Sequence, residues 1–356
     1  MLDGYRIIDA DRHTIEPINA WKQYLEPKFR DFAPLADLTI KGNPIYHKIP
    51  KQVKTKVSFG DRHAIDSFDA ESQVRAMLYT GIDISIIYPS FGLWLLAIDT
   101  MPTQLTQAFV VAYNNWLKDF CYYDPDRLKG VGLVNLHTPS EMVLELQRIA
   151  NFGWKAVCVL PNPVKGRLLS HPAYEPFWTE CENLDIAVGL HTVAHGRVPT
   201  TGADRFDTHF SMHACAHPME QMMALLSLIE GGVLERHPLL RIGLLESGCG
   251  WLPYWLWRLD NEYEELAWEV RDNVKMKPSD YFRRQCFIEI EPSEPYIFEL
   301  INYIGADNLI FGSDYPHHDH DPDIVKKAVA LDKQLSSEVV RKILWDNSVR
   351  FYGIDQ

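Results

Sequence analysis

Trp154–Leu160 (WKAVCVL), Ile186–His191 (IAVGLH), Arg241–Glu246 (RIGLLE), Cys286–Glu291 (CFIEIE) and Asn308–Asp314 (NLIFGSD) are five short apolar runs, each separated from the next by a stretch of helical period. Their length and β-branched content are those of buried strands. Strands that alternate with helices cannot pair as hairpins, so the order predicts parallel strands joined by crossover helices. Between the second and third of these runs, Pro218 is expected to open a helix whose Met219, Met222, Met223 and Leu226 form one inward face. The alternation extends towards the N-terminus. Arg6–Asp11 is one run; Ile82–Tyr88 (IDISIIY) follows a helical face of Val74, Met77 and Leu78; Leu128–Asn135 (LKGVGLVN) precedes a helix with Ser140 as N-cap and Val143, Leu146 and Ala150 turned inward. Eight units of this kind predict an α/β fold, a closed (β/α)8 TIM barrel. A doubly wound sheet is the alternative, but no GxGxxG follows the first run and no GxxxxGK[ST] occurs anywhere.

The chain of 356 residues is expected to form one barrel domain over residues 1–356. Two segments interrupt the repeat after the first and fifth runs: Phe29–Asp66, which carries Lys41, Lys48, Lys51, Lys54 and Lys56, and Thr192–Ser211. Barrel enzymes place lids and substrate loops after strand ends, so residues 29–66 read as a lid or as a solvated insertion. A formal net charge of −13 argues against a nucleic-acid partner. Apolar stretches such as Ile82–Pro89 fall far short of the roughly 20 residues that cross a bilayer, so no membrane span is expected. The start MLDGYRIIDADRH has no basic-then-apolar leader, and the six cysteines are dispersed without a CxxC pair. Reduced thiols and a cytoplasmic location are expected.

In a barrel every strand points its C-terminal end into one mouth. The first run continues into Asp11-Arg12-His13, where alternation puts Asp11 and His13 on one side and Arg12 on the other. The fifth run ends in His191, the sixth in Glu246 and the eighth in Asp314. Asp11 alone could cap a turn, and His191 alone could be a satisfied core histidine. Four strand ends that all carry ligand-type residues point instead to a divalent metal, because uncompensated buried charge costs several kcal/mol.

DADRHTIEP, GLHT, ERHPLLRIGLLESGCGWLPYWLWRLD and FGSDYPH resemble the amidohydrolase superfamily, specifically the amidohydrolase-2 branch that contains aminocarboxymuconate semialdehyde decarboxylase. The resemblance implies a (β/α)8 barrel with metal at its C-terminal mouth. It places the family's first-strand H-x-H motif on Asp11 and His13, its fifth-strand histidine on His191 and its eighth-strand aspartate on Asp314. Asp11 replaces a histidine, which shifts preference from zinc towards manganese, iron or magnesium. Where the decarboxylases carry a sixth-strand histidine followed by glycines, this chain has Glu246-Ser247-Gly248, so their usual general base is missing.

Glu246 reads as an outer-layer acid, a general base or a ligand to a second ion. His217, with His213 upstream, and Glu16, three residues beyond His13, bear on that choice. With Glu16, His217 and Glu246 added to Asp11, His13, His191 and Asp314, the metal ligands number seven, enough for two ions that share a carboxylate. The bland readings are that His213 and His217 cap a helix or face solvent and that Glu16-Pro17 only turns the chain. His195 and His317 are candidates to bind a substrate carboxylate; His318 and His320 complete a polar loop. The tryptophans of WLPYWLWRLD suit core and homodimer contacts.

The leading expectation is a hydrolase of a small organic acid derivative that uses a metal-activated water, with one or two divalent ions (Zn, Mn or Fe) and with Asp314, Glu246 and His217 as catalytic groups. The alternatives are non-oxidative decarboxylation of an unsaturated or aromatic acid, and a dinuclear iron or iron/manganese oxygenase on the same barrel. A barrel that binds without turnover is disfavoured, since a structural metal is closed by its ligands.

Overall fold

The computed structural model describes residues 1–36, 69–193, 200–317 and 320–354, so most of the expected lid, residues 37–66, lies outside the described residues. Each apolar run forms a strand: β1 (Ile8–Thr14), β2 (Ile84–Pro89), β3 (Leu128–Gly130) and β4 (Gly132–Leu133), β5 (Ala156–Val159), β6 (Ala187–Leu190), β7 (Ile242–Leu244), β8 (Cys286–Ile290) and β9 (Leu309–Phe311). The third run is interrupted at Val131, whose N–H donates to the carbonyl of Ile87 at 3.1 Å. Every pairing is parallel, in the order β1-β2-β3 and β4-β5-β6-β7-β8-β9. Crossover helices such as Ala70–Thr80, Thr103–Cys121, Pro139–Asn151 and His209–Glu230 connect them. This is the (β/α)8 TIM barrel of the α/β class.

The first and last strands meet at a seam. The amides of Ser313 and Asp314 both donate to the carbonyl of Asp11, at 3.1 and 2.9 Å, and the amide of His13 donates to Tyr315 at 2.8 Å. Beneath it lies a polar knot. The buried Asp9 carboxylate accepts from the Ser313 amide (2.8 Å) and hydroxyl (2.6 Å). Arg12 reaches the same carboxylate at 3.2 Å, donates to Gln73 Oε1 at 2.6 Å, and lies over the Tyr315 ring at 4.1 Å. An irregularity in the β1–β2 register between Asp9 and Arg12 turns both side chains behind the mouth while Asp11 and His13 face into it.

Tyr88 floors the mouth. Its hydroxyl meets that of Tyr352 at 3.0 Å, and Tyr352 donates to the carbonyl of Ala10 at 2.6 Å. Position 189 has to be glycine, because a Cβ there would come within 2.2 Å of the Tyr88 hydroxyl.

Two local expectations change. The helix does not open at Pro218; it spans His209–Glu230 with Pro218 inside, and the Thr208 hydroxyl caps it by accepting from the Ser211 amide. Its expected inward face holds only in part: Met219 and Met223 are 43% and 44% exposed and Met222 is half-buried, while Leu226 packs against the core beside the buried Ala216, Gln221, Ala224, Leu225 and Leu228. Small residues and leucines let the helix approach the strands more closely than a row of methionines would. The helix Pro139–Asn151 starts one turn position earlier than expected, with Thr138 rather than Ser140 as N-cap.

Removing one partner of a buried ion pair leaves the other charge uncompensated. Asp9→Ala is therefore expected to destabilise the protein by about 3–5 kcal/mol in urea unfolding. A change below about 0.5 kcal/mol, the range of an ordinary surface substitution, would contradict the role given to the knot.

Candidate metal centre

The strand ends bring Asp11, His13, His191, Glu246 and Asp314 together. The Nε2 atoms of His13 and His191 lie 3.0 Å apart. Asp11 Oδ1 is 3.4 Å from the first and Asp11 Oδ2 is 3.5 Å from the second. Asp314 Oδ1 lies 3.5 Å from His13 Nε2, and Glu246 Oε2 lies 3.1 Å from His191 Nε2.

The hydrogen bonds on the far side of each ring decide what this cluster can hold. His13 Nδ1 is 3.1 Å from the carbonyl of Pro89, and His191 Nδ1 is 3.1 Å from the carbonyl of Thr192. A carbonyl only accepts, so each Nδ1 carries the proton and each Nε2 of a neutral ring carries a lone pair. Two lone pairs 3.0 Å apart cannot hydrogen-bond each other, and both oxygens of the buried Asp11 find no donor. A cation bound by all of them satisfies every one.

Burial by itself would raise the Asp11 carboxyl, but the imidazoles of His191 and His13 hold it well below the usual carboxylate range. Burial and then the neighbouring His317 push His13 down to about 4, so its ring is neutral at pH 7, the form that ligates a metal. Glu246 and Asp314 sit at φ of 48° and 52°, in the left-handed region that side chains other than glycine seldom adopt. Such backbone strain clusters at functional sites.

Beyond Glu246 a second group of donors follows. His217 Nδ1 lies 2.7 Å from the carbonyl of Glu246 and 3.7 Å from its Oε2, and the rings of His213 and His217 are 4.3 Å apart. His213, His217 and Glu246 each bring one donor atom within 4.8 Å of the others. These side chains line a cavity of about 460 Å³ with Glu289, Glu291, Glu294, Asp314, His320 and Asp321; among the described residues its lining holds no lysine or arginine.

Other expected site residues stand elsewhere. His317 belongs to the cluster more closely than a substrate loop would suggest: its ring stacks on His13 at 4.0 Å, and its Nδ1 meets Asp314 Oδ1 at 2.5 Å. Glu16 is not brought to the cluster, because its two oxygens accept the amides of Ser90, Phe91 and Gly92 at 3.1, 2.8 and 3.2 Å. His195 lies outside the described residues. Glu289 was not anticipated. It accepts from the Glu246 amide at 2.8 Å, and burial, with Asp11 beside it, raises its carboxyl well above the ordinary value. The signal available in sequence was an acid inside the buried run CFIEIE, at a position of the same parity as Phe287 and Glu291.

Comparison with known proteins finds relatives along the length of the chain. The family model Amidohydro_2, described as amidohydrolase, matches residues 8–354. A 2-amino-3-carboxymuconate-6-semialdehyde decarboxylase from Dictyostelium discoideum is 23% identical over 332 residues, 87% of this chain and 90% of that protein. A gamma-resorcylate decarboxylase from Rhizobium sp. is 30% identical over 219 residues, 58% of this chain and 65% of that enzyme. Among solved structures, the amidohydrolase map2389c from Mycobacterium avium subsp. paratuberculosis K-10 shares the fold at a TM-score of 0.78, with 23% identity over 98% of this chain and all of that one. A 5-carboxyvanillate decarboxylase from Novosphingobium aromaticivorans, solved with manganese, has a TM-score of 0.74 and 19% identity over 99% of this chain and 97% of its own. A match that runs from residue 8 in the first strand to residue 354 makes this chain a member of the amidohydrolase family Amidohydro_2.

Proposed function

We propose that the chain is a metal-dependent non-oxidative decarboxylase of an unsaturated or aromatic acid. The observation that carries the reading is Asp314, a carboxylate beside the converging Nε2 atoms that also lines the open cavity. The curated relatives named above are decarboxylases, which favours this reading over hydrolysis. Asp11, His13, His191 and Asp314 would hold a divalent ion, which when bound would supply a Lewis acid for the substrate carboxylate. Among the described residues the cavity lining has no lysine or arginine to anchor that carboxylate.

In decarboxylation the bond between the substrate carbon and its carboxylate breaks, carbon dioxide leaves, and the electron pair left on carbon takes up a proton. Asp314 is the group placed to relay that proton from solvent in the open cavity, ending as the carboxylate it began as, and His317 Nδ1 lies beside its Oδ1. Glu246 stands where the resembled decarboxylases carry a histidine, so this chain directs its substrate with a carboxylate at that point of the mouth.

Incubation with hydroxylated benzoates is expected to release carbon dioxide without consuming dioxygen. In deuterated water the product is expected to carry one deuterium on the carbon that lost the carboxylate. Asp314→Asn is expected to lower kcat by about 10²–10⁴. Acid release without carbon dioxide would return the assignment to hydrolysis.

A second ion at Glu246, His213 and His217 is supported by their convergence and by the His217 ring, whose Nδ1 is tied to a carbonyl as in His13 and His191. On this reading plasma mass spectrometry of the purified protein gives two metal equivalents per chain, and Glu246→Gln gives one. A single equivalent in the unaltered protein removes the second ion and, with it, a dinuclear oxygenase.

A further inference from the structure

Glu16 is only 2% exposed, and burying an unpaired carboxylate is costly. Its charge is met by three successive backbone amides: Oε1 accepts from Ser90 and Gly92, and Oε2 accepts from Phe91. These amides open the helix Phe91–Leu96, and the segment before it carries two groups that reach the metal centre. The carbonyl of Pro89 receives Nδ1–H of His13 at 3.1 Å. Ser90 Oγ lies 3.3 Å from Nε2 of His317, whose Nδ1 lies 2.5 Å from Asp314 Oδ1. The fit around the carboxylate is close: a Cβ at Gly92 would stand 2.9 Å from Leu133 Cδ1 and 3.4 Å from Glu16 Oε1.

We infer that Glu16 is a positioning residue of the metal centre: by clamping Ser90, Phe91 and Gly92 it fixes the Pro89 carbonyl and the Ser90 hydroxyl, and through them the ring of His13 and the carboxylate of Asp314. The inference rests on the metal reading above. One four-residue segment thereby orients a donor from the first strand and a donor from the last. It also accounts for the acid in Asp-x-His-x-x-Glu without making it a ligand, since both of its oxygens are occupied by amides. Outer partners of this kind typically change metal affinity by about 10–100-fold.

The test is the manganese dissociation constant of the full chain, measured by chelator competition, together with the line shape of the bound manganese in electron paramagnetic resonance. Glu16→Ala is expected to weaken binding by about 10–100-fold and to broaden the spectrum. Glu16→Gln, whose amide oxygen can keep two of the three amide contacts, is expected to recover most of the affinity. Ser90→Ala cuts only the arm to His317 and is expected to have the smaller effect. Circular dichroism of the same samples identifies folded protein, so loss of affinity in folded Glu16→Ala reports on orientation and not on unfolding. If Glu16→Ala does not fold, Glu16→Gln and Ser90→Ala carry the comparison. Folded variants that all bind manganese within twofold of the unaltered protein overturn the inference while leaving the metal reading intact. No binding by the unaltered protein overturns the metal reading, and this inference with it.

Discussion

The centre depends on the seam where the first strand meets the last. Asp9 and Ser313 lie 304 positions apart, yet the carboxylate of one holds both the amide and the hydroxyl of the other. Chain closure over that length costs little more entropy than closure over a shorter loop, because the cost grows only with the logarithm of length. Once the seam forms, the carbonyl of Asp11 receives two amides from the last strand end, and Asp11, His13 and Asp314 share one point. Arg12 completes the arrangement from behind. Its guanidinium compensates the buried charge of Asp9, and Gln73, which accepts from Arg12, donates to the carbonyl of His13 at 2.9 Å. Fold closure and site assembly are therefore the same event.

A second regularity concerns the rings. His13, His191 and His217 come from a strand, a strand end and a helix, yet each ties Nδ1 to a main-chain carbonyl. Backbone carbonyls cannot donate, so the tautomer is fixed by main-chain geometry. Substituting a neighbouring side chain would leave this preference in place, whereas moving the segment that carries the carbonyl would not.

Much of this was legible in the sequence. The apolar runs became parallel strands because their length and composition suit burial on both faces, and their terminal residues met because a barrel has a single mouth. Asp11, His13, His191, Glu246 and Asp314 follow from that alone. What was not legible depends on which of two plausible surfaces packs. The stripe of Met219 and Met223 and the stripe of Ala224, Leu225 and Leu228 both have helical spacing, and the choice falls to how close the helix must come to the strands. The partners of Glu16 were hidden for a similar reason: they are backbone amides from a segment some 75 residues away, and amides leave no mark in the sequence. Residues 37–66 and His195 lie outside the described residues, so the expectations placed on them stand as expectations.

Charge matching is the last constraint. Asp11 and Asp314 supply two negative charges beside neutral imidazoles, the count that a divalent ion balances. Glu289 is buried against Asp11, and burial, then the charge of Asp11, raises its carboxyl well above the ordinary value. Its Oε2 accepts the Glu246 amide at 2.8 Å. Glu246 is different: it faces the cavity from a left-handed backbone position, and its charge is not part of the two that one ion balances. A substrate carboxylate that approaches the ion must therefore pass a carboxylate. On the decarboxylase reading proposed above, this favours acids with a hydroxyl or other donor that Glu246 can accept from.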